Sequence, residues 1–330
     1  MIDKIIKFIK EEYKFLIVLF LILFLGLYRL PYNLYVGGGI ISLEKRLEVE
    51  NSYPSKGSFN LCYVKSIRST IPTYLLSYVF NWERDNLNDA KLDENDNPKD
   101  MWEREKLYLK EANDNAIISA FKAAGEDITI NKEVLKILYV DSESDTDLKT
   151  GDTIISINNV VIKEFDEIKE VIKDFSIGDK ISVKYLRDDK EYNGYFKVRE
   201  IEGEKKAGLY LIKLYDYDIN RDISLDFQNS EGGPSGGMMV SLAIYNKITK
   251  KDILKGRIIA GTGTIDSNGN VGEIGGVKYK LKGAVKGGAE IFLVPEGNYQ
   301  EAIHEKEEHN YDIVIFKVKN ISDAIKFLGE

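Results

Sequence analysis

The 330-residue chain is 43% hydrophobic and 30% charged, values that allow a packed core and exclude a disordered or fibrous chain. Its net charge of -8, with no basic stripe to compensate, excludes a nucleic-acid partner, because neutralising phosphates needs a local excess of Lys and Arg. The one cysteine, Cys62, leaves no intramolecular disulfide. The two histidines, His304 and His309, would lie about 140° apart on a helix, so neither a two-histidine metal site nor any cofactor is expected.

In chain order, the first element is an apolar run. Phe15 to Tyr28 carries no charge, and with Arg29 snorkelling the apolar stretch extends through LPYNLYV to Val36. No small-x-small cleavage site follows Gly26, which favours an uncleaved signal anchor over a signal peptide. Lys4, Lys7, Lys10 and Lys14 precede the run, which keeps the N-terminus in the cytoplasm and exports the rest. The expected organisation is a cytoplasmic tail at 1–13, a single transmembrane anchor at 14–36 and a membrane-proximal region at 37–127. Within that region a strand is expected at 58–67, an exposed charged loop at 91–100 and a helix at 102–125 ending at Gly125.

Residues 128–202 form a compact β-rich module, with strands at 134–140, 153–157, 181–186 and 193–201 and a helix near 164–174. Its turn, LKTGDTIISINN (148–159), resembles that of the PDZ domains of bacterial envelope proteases, which reads G-D-x-I-x-x-I-[ND]-[GN]. The resemblance implies that an extended peptide adds as a strand to an exposed sheet edge, with a binding loop just before the strand at Lys136 to Tyr139. A β-rich spacer without a ligand would have the same pattern.

From Gly203 to Glu330 strands alternate with helices, which predicts an α/β domain. Strands at 209–215 and 222–228 lead into GGPSGG (232–237). A helix follows from about Ser235, then a strand at 257–265, a hairpin turn, a helix from Val277, the strand EIFLVPE, the helix NYQEAIHEKEE, the strand DIVIFKV and the helix SDAIKFL. At the start of its helix, Ser235 has unpaired backbone N–H groups and the positive end of a macrodipole beside its hydroxyl. That is a site for an oxyanion. GPSGG also fits the G-x-S-x-G nucleophile elbow, but the histidine it needs would come from the hydrophilic stretch QEAIHEKEEHN. A lysine held out of water can serve as base instead. At about 100° per residue, Lys278, Lys282 and Lys286 share a solvated stripe, whereas Lys280 falls beside Val277 and Ala284 on the apolar side.

GGPSGG, IAGTGTIDSNGNVGEIGG and GGVKYK, with Lys280 placed 45 residues after Ser235, resemble the proteolytic domain of Lon proteases, marked by G-P-S-[AG]-G and G-G-[VIL]-x-x-K. With the apolar N-terminus and the PDZ-like module, the chain is similar to the membrane-anchored PDZ-Lon (YlbL-like) peptidases, and LPYNLYV and EANDNAIISAFKAAG (111–125) fit that family too. The resemblance implies an α/β (α+β) Lon-type domain at 203–330, with Ser235 as nucleophile and Lys280 as general base. It also implies that Thr262 hydrogen-bonds near the lysine and that N–H groups around Gly233 and Ser235 form the oxyanion hole. Glu273 stands where the family has proline; a carboxylate beside Lys280 would favour its charged form, so Glu273 is expected to point outward. No Walker A pattern occurs in these residues, so ATP-driven unfolding is not expected. The implied activity is that of an ATP-independent serine endopeptidase at the cell membrane, its catalytic part extracytoplasmic, acting on extended peptides or small membrane proteins. The family's rings leave a homo-oligomer open. The competing expectation is a PDZ-bearing membrane adaptor that binds peptides without cutting them.

Overall fold

The computed structural model describes residues 2–87, 92, 97–227 and 233–330; residues 91 and 93–96 of the expected loop, and Gly232 of GGPSGG, lie outside them. The chain divides into two compact units, one of residues 1–37 and 64–92, the other of residues 38–63 and 93–330.

The smaller unit holds α1 (Ile2–Leu27), the first part of β1 (Arg29–Ser42), the last part of β2 (Ser58–Thr70), α2 (Ile71–Val79) and β3 (Glu83–Asn86). α1 stops at Leu27, and β1 begins two residues on, pairing antiparallel with β3 from Tyr32↔Asn86 to Tyr35↔Glu83. This corrects the expected helical span at 14–36: LPYNLYV is strand, because its backbone groups find partners in β3. No helix among the described residues is long and apolar enough to cross a membrane. The charge-free part of α1, from Phe15 to Leu27, would reach only about 20 Å at 1.5 Å per residue, short of the ~30 Å of a bilayer core.

The larger unit begins with α3 (Pro98–Ala124), whose start is fixed by Asn97: its side chain accepts hydrogen bonds from the N–H groups of Lys99 and Asp100 at 3.0 and 3.1 Å. Gly125, at φ 69°, closes it in the left-handed region. The β-rich module follows as β4 (Ile128–Val140), β5 (Thr153–Ile157), α4 (Phe165–Ile172), β6 (Lys180–Arg187), β7 (Lys190–Lys197) and β8 (Leu209–Ile219). Its antiparallel sheet runs in the order β8-β4-β5-β6-β7, and β8 pairs with β4 along its whole length, from Leu209↔Val140 to Ile219↔Ile128. The sheet therefore extends past 202 and recruits the strand that leads towards Ser235.

The rest of this unit is α/β. Its helices are α5 (Gly237–Ile248), α6 (Val277–Lys286), α7 (Tyr299–His309) and α8 (Ile321–Gly329); its strands are β9 (Ile258–Gly261), β10 (Ile291–Pro295) and β11 (Val314–Val318). These strands are parallel in the order β11-β10-β9, and β9 pairs in parallel with Ser58–Leu61 of β2. α5 is buried on almost every side, packing with Ala116, Ile117, Ala120 and Phe121 of α3 and with Ile259 and Leu293 of the sheet. Each fully buried leucine or methionine there stabilises by about 2 kcal/mol. The polar exceptions are paired: Ser119 of α3 bonds Ser241 of α5 at 2.7 Å.

Candidate active site

The strand expected at 257–265 is broken, and the break makes the site. β9 ends at Gly261, a two-residue strand at Thr264–Ile265 turns back onto Val271–Gly272, and Thr262 and Gly263 lie between them. There the chain meets the turn that carries Ser235. Gly263 N–H donates to the Ser235 carbonyl at 2.7 Å, Thr262 Oγ1 donates to the same oxygen at 2.9 Å, and Met238 N–H donates to the Gly263 carbonyl at 3.1 Å. Thr262 is itself anchored to the sheet by its N–H, which donates to Leu293 O at 3.0 Å.

Ser235 sits in a single 3-10 turn, Pro234–Gly236, just ahead of α5. Gly233 enters that turn at φ 140°, ψ 145°, a conformation that only glycine adopts without strain. Gly236 is needed for space, because a Cβ there would approach Leu61 Cδ2 to 2.8 Å. The serine is thus held just ahead of the N-terminus of a buried helix and is itself partly open to solvent.

Lys280 comes from α6, which starts at Gly276 in the left-handed region, φ 72°. Its neighbours Val277, Leu281 and Ala284 are fully buried, and Lys280 is only 7% exposed, while Lys282 and Lys286 are exposed. Its ammonium donates to Thr262 Oγ1 at 3.2 Å, its one hydrogen bond among the described residues. A chain of two bonds therefore runs from Lys280 Nζ through the Thr262 hydroxyl to the Ser235 carbonyl. Burial pulls the Lys280 pKa down from its ordinary 10.5 to about 8, opposed weakly by Cys62. The Cys62 thiol is in turn pushed up to about 12 by desolvation; near neutral pH it is uncharged and gives the lysine no counter-ion. Glu273 is exposed, its carboxylate lies over Gly297, and it is absent from the groups that shift Lys280.

Of the residues singled out from sequence, Ser235, Thr262, Lys280 and Gly233 converge on this one turn. His304 and His309 do not join them; on α7, His304 faces Glu308 at 3.8 Å and His309 faces Glu305 at 3.3 Å. Sequence reasoning missed Cys62 as a neighbour of Lys280, since it offered no signal beyond a small apolar position. In the β-rich sheet β4, with Lys136 to Tyr139, is interior, flanked by β8 and β5, and the end strands are β8 and β7. Beside β8 opens a cavity of about 420 Å³, lined among others by Leu211, Lys213, Glu133 and Phe165.

Residues 228–328 match the family model for the Lon protease (S16) C-terminal proteolytic domain, and residues 120–198 match that for a PDZ domain. The C-terminal third of the chain is thus similar to the proteolytic domain of Lon proteases, and a segment ahead of it is similar to a PDZ domain. Lon protease of Helicobacter pylori is 27% identical over 184 residues, 53% of this chain and 22% of that protein. Lon protease of Neorickettsia sennetsu is 33% identical over 98 residues, 30% of this chain and 12% of that protein. The chain thus spans a small part of the length of the curated relatives it matches. Among solved structures, the PDZ domain of an SdrC-like protein from Listeria monocytogenes is 23% identical, with 24% of this chain and 86% of that one covered and a TM-score of 0.22.

Proposed function

We propose that this chain is an ATP-independent serine endopeptidase with a Ser235–Lys280 dyad, attached to a membrane through α1 and acting outside the cytoplasm on extended peptides or accessible tails of small membrane proteins. The observation that carries the dyad is the burial of Lys280, which lowers its pKa to about 8 with no anion to hold its proton. A base is most effective when its pKa lies near the working pH.

In the first step neutral Lys280 accepts the Ser235 hydroxyl proton as Oγ attacks the scissile carbonyl, giving a tetrahedral oxyanion. Backbone N–H groups at Gly233 and Ser235, at the positive end of α5, are the donors for that oxyanion. Collapse expels the amine, which takes its proton from Lys280, and leaves an acyl ester on Ser235. Water then attacks the ester with Lys280 again as base. Thr262 holds Lys280 by one bond and the Ser235 main chain by another, so a single hydroxyl fixes the geometry of both partners.

The reading of extended substrates is supported by the unpaired side of the end strand β8. A peptide added there would lie on the strand whose chain continues towards Ser235. Membrane attachment is supported by the exposed apolar side chains around α1 between Phe15 and Leu27, and the extracytoplasmic orientation by the lysines that precede them. The test is cleavage of an unstructured fluorogenic peptide library by the full chain, alone and with Ser235→Ala or Lys280→Met. Loss of cleavage in both variants, with unchanged peptide binding, is expected. Equal turnover in wild type and both variants would sink the dyad, and peptide binding without cleavage by wild type would make the chain an adaptor.

A further inference from the structure

The smaller unit leaves a second apolar surface uncovered, and it lies on α2. In the sequence IPTYLLSYVF, Leu75 and Val79 are 62% and 74% exposed, and Phe80 is 59% exposed. The opposite side of α2 is the protein side: Ser77 is buried, and Thr70 and Thr73 close the N-terminus with a reciprocal capping box. A nine-residue helix with large apolar side chains pointing at water costs solvation free energy unless something covers it.

What covers it is indicated by its neighbours. α2 packs against α1 within the same unit. Between Phe15 and Leu27 the large side chains of α1 are exposed on every side, Phe20 at 66% and Leu27 at 73% among them, as suits a hydrocarbon surrounding. Rings then follow one another out of that run. Phe24 lies 5.2 Å from Tyr28 at the end of α1; Tyr32 lies 4.9 Å from Tyr74, and Tyr74 lies 5.7 Å from Tyr78 on α2. Arg84 sits over the Tyr78 ring at 4.0 Å, and Trp82 stacks on Phe80 at 5.4 Å. Tyrosine and tryptophan with a nearby arginine, placed where a charge-free helix ends, match the composition of a membrane-water boundary, because their rings are apolar and their tips wet.

We propose that α2 lies in the headgroup region of the bilayer, with Leu75, Val79 and Phe80 inserted among the upper acyl chains, so that the protein holds its membrane with two elements. The proposal rests on the membrane attachment of α1. It also adds apolar contact at the interface to that of α1, whose charge-free part is roughly 20 Å long.

The chain has two tryptophans, and Trp102→Phe leaves Trp82 as sole reporter. The full-length variant is mixed with phosphatidylcholine–phosphatidylglycerol vesicles carrying brominated acyl chains. The expected result is a blue-shifted Trp82 emission quenched at least two-fold; in the added double substitution Val79→Asp, Phe80→Asp, most of that quenching is lost while the protein still floats with the vesicles. Flotation without Trp82 quenching overturns the placement of α2 and leaves α1 as the anchor. Failure to float removes both. A blue shift already present in vesicle-free dimers assigns the face to a second copy and overturns the proposal.

Discussion

Two helices of this protein break the inside-outside rule in opposite senses. α6 turns Lys280 into the core, and α2 turns Leu75, Val79 and Phe80 out of it. The buried lysine has its own compensation, a hydroxyl acceptor in Thr262 and a pKa lowered until the neutral form is accessible. The exposed apolar side chains stay largely open, with Phe80 covered in part by the Trp82 ring. The difference separates a site that is complete in the fold from a surface that awaits a partner. Each violation is informative because surface lysines and buried leucines are the ordinary case.

The largest effect expected is on the first helix-end pair. Ser235→Ala should lower kcat/KM for an unstructured peptide by about 10⁴-fold with an unchanged thermal midpoint, measured by fluorogenic hydrolysis beside calorimetry. Lys280→Met should lose about 10³-fold in the same assay yet gain stability. The folded-state pKa of Lys280 is depressed, to about 8 from 10.5, so the cost of a buried charge is carried in full below pH 8. It fades between 8 and 10.5 and is gone above, where the residue is neutral in both states. The variant should therefore be more stable by roughly 1 to 3 kcal/mol at pH 7 and equal to wild type near pH 10.5; denaturant titration at the two pH values decides. For the same reason wild-type kcat/KM should rise with pH and level off above about 8.

Thr262→Val removes both bonds that tie Lys280 to the Ser235 turn and should cost about 10- to 100-fold in kcat with little change in KM. An unchanged kcat would show that the threonine only packs. Smallest of all, Glu273→Gln should leave the rate within about two-fold and the pH profile unmoved, because its carboxylate lies over Gly297 and does not shift Lys280; a displaced profile would mean that it reaches the lysine.

Much of the site was legible before any fold was known. Lys280 stood out by helical register alone, and Gly233, Ser235 and Thr262 stood in motifs whose spacing resembled one family. Less legible was the break at Thr262 and Gly263. The run RIIAGTGTI reads as one strand, and only the hydrogen bonds offered by the Ser235 turn pull it out of the sheet. The apolar LPYNLYV reads as the end of a helical span, and it is strand because β3 supplies partners for its backbone. The pairing of β8 with β4 was not legible either, since strand pairing depends on partners far along the chain.

Local features, then, were legible in the sequence alone: glycine positions that permit the Ser235 turn, a lysine on the apolar side of its helix, and an apolar run behind four lysines. These follow from periodicity and backbone freedom, which act over a few residues. Only the tertiary structure decided what depends on distant partners. It buried Lys280 deeply enough to bring its pKa to about 8, joined it through Thr262 to the Ser235 carbonyl, paired β8 with β4, and left α2 facing outward beside α1.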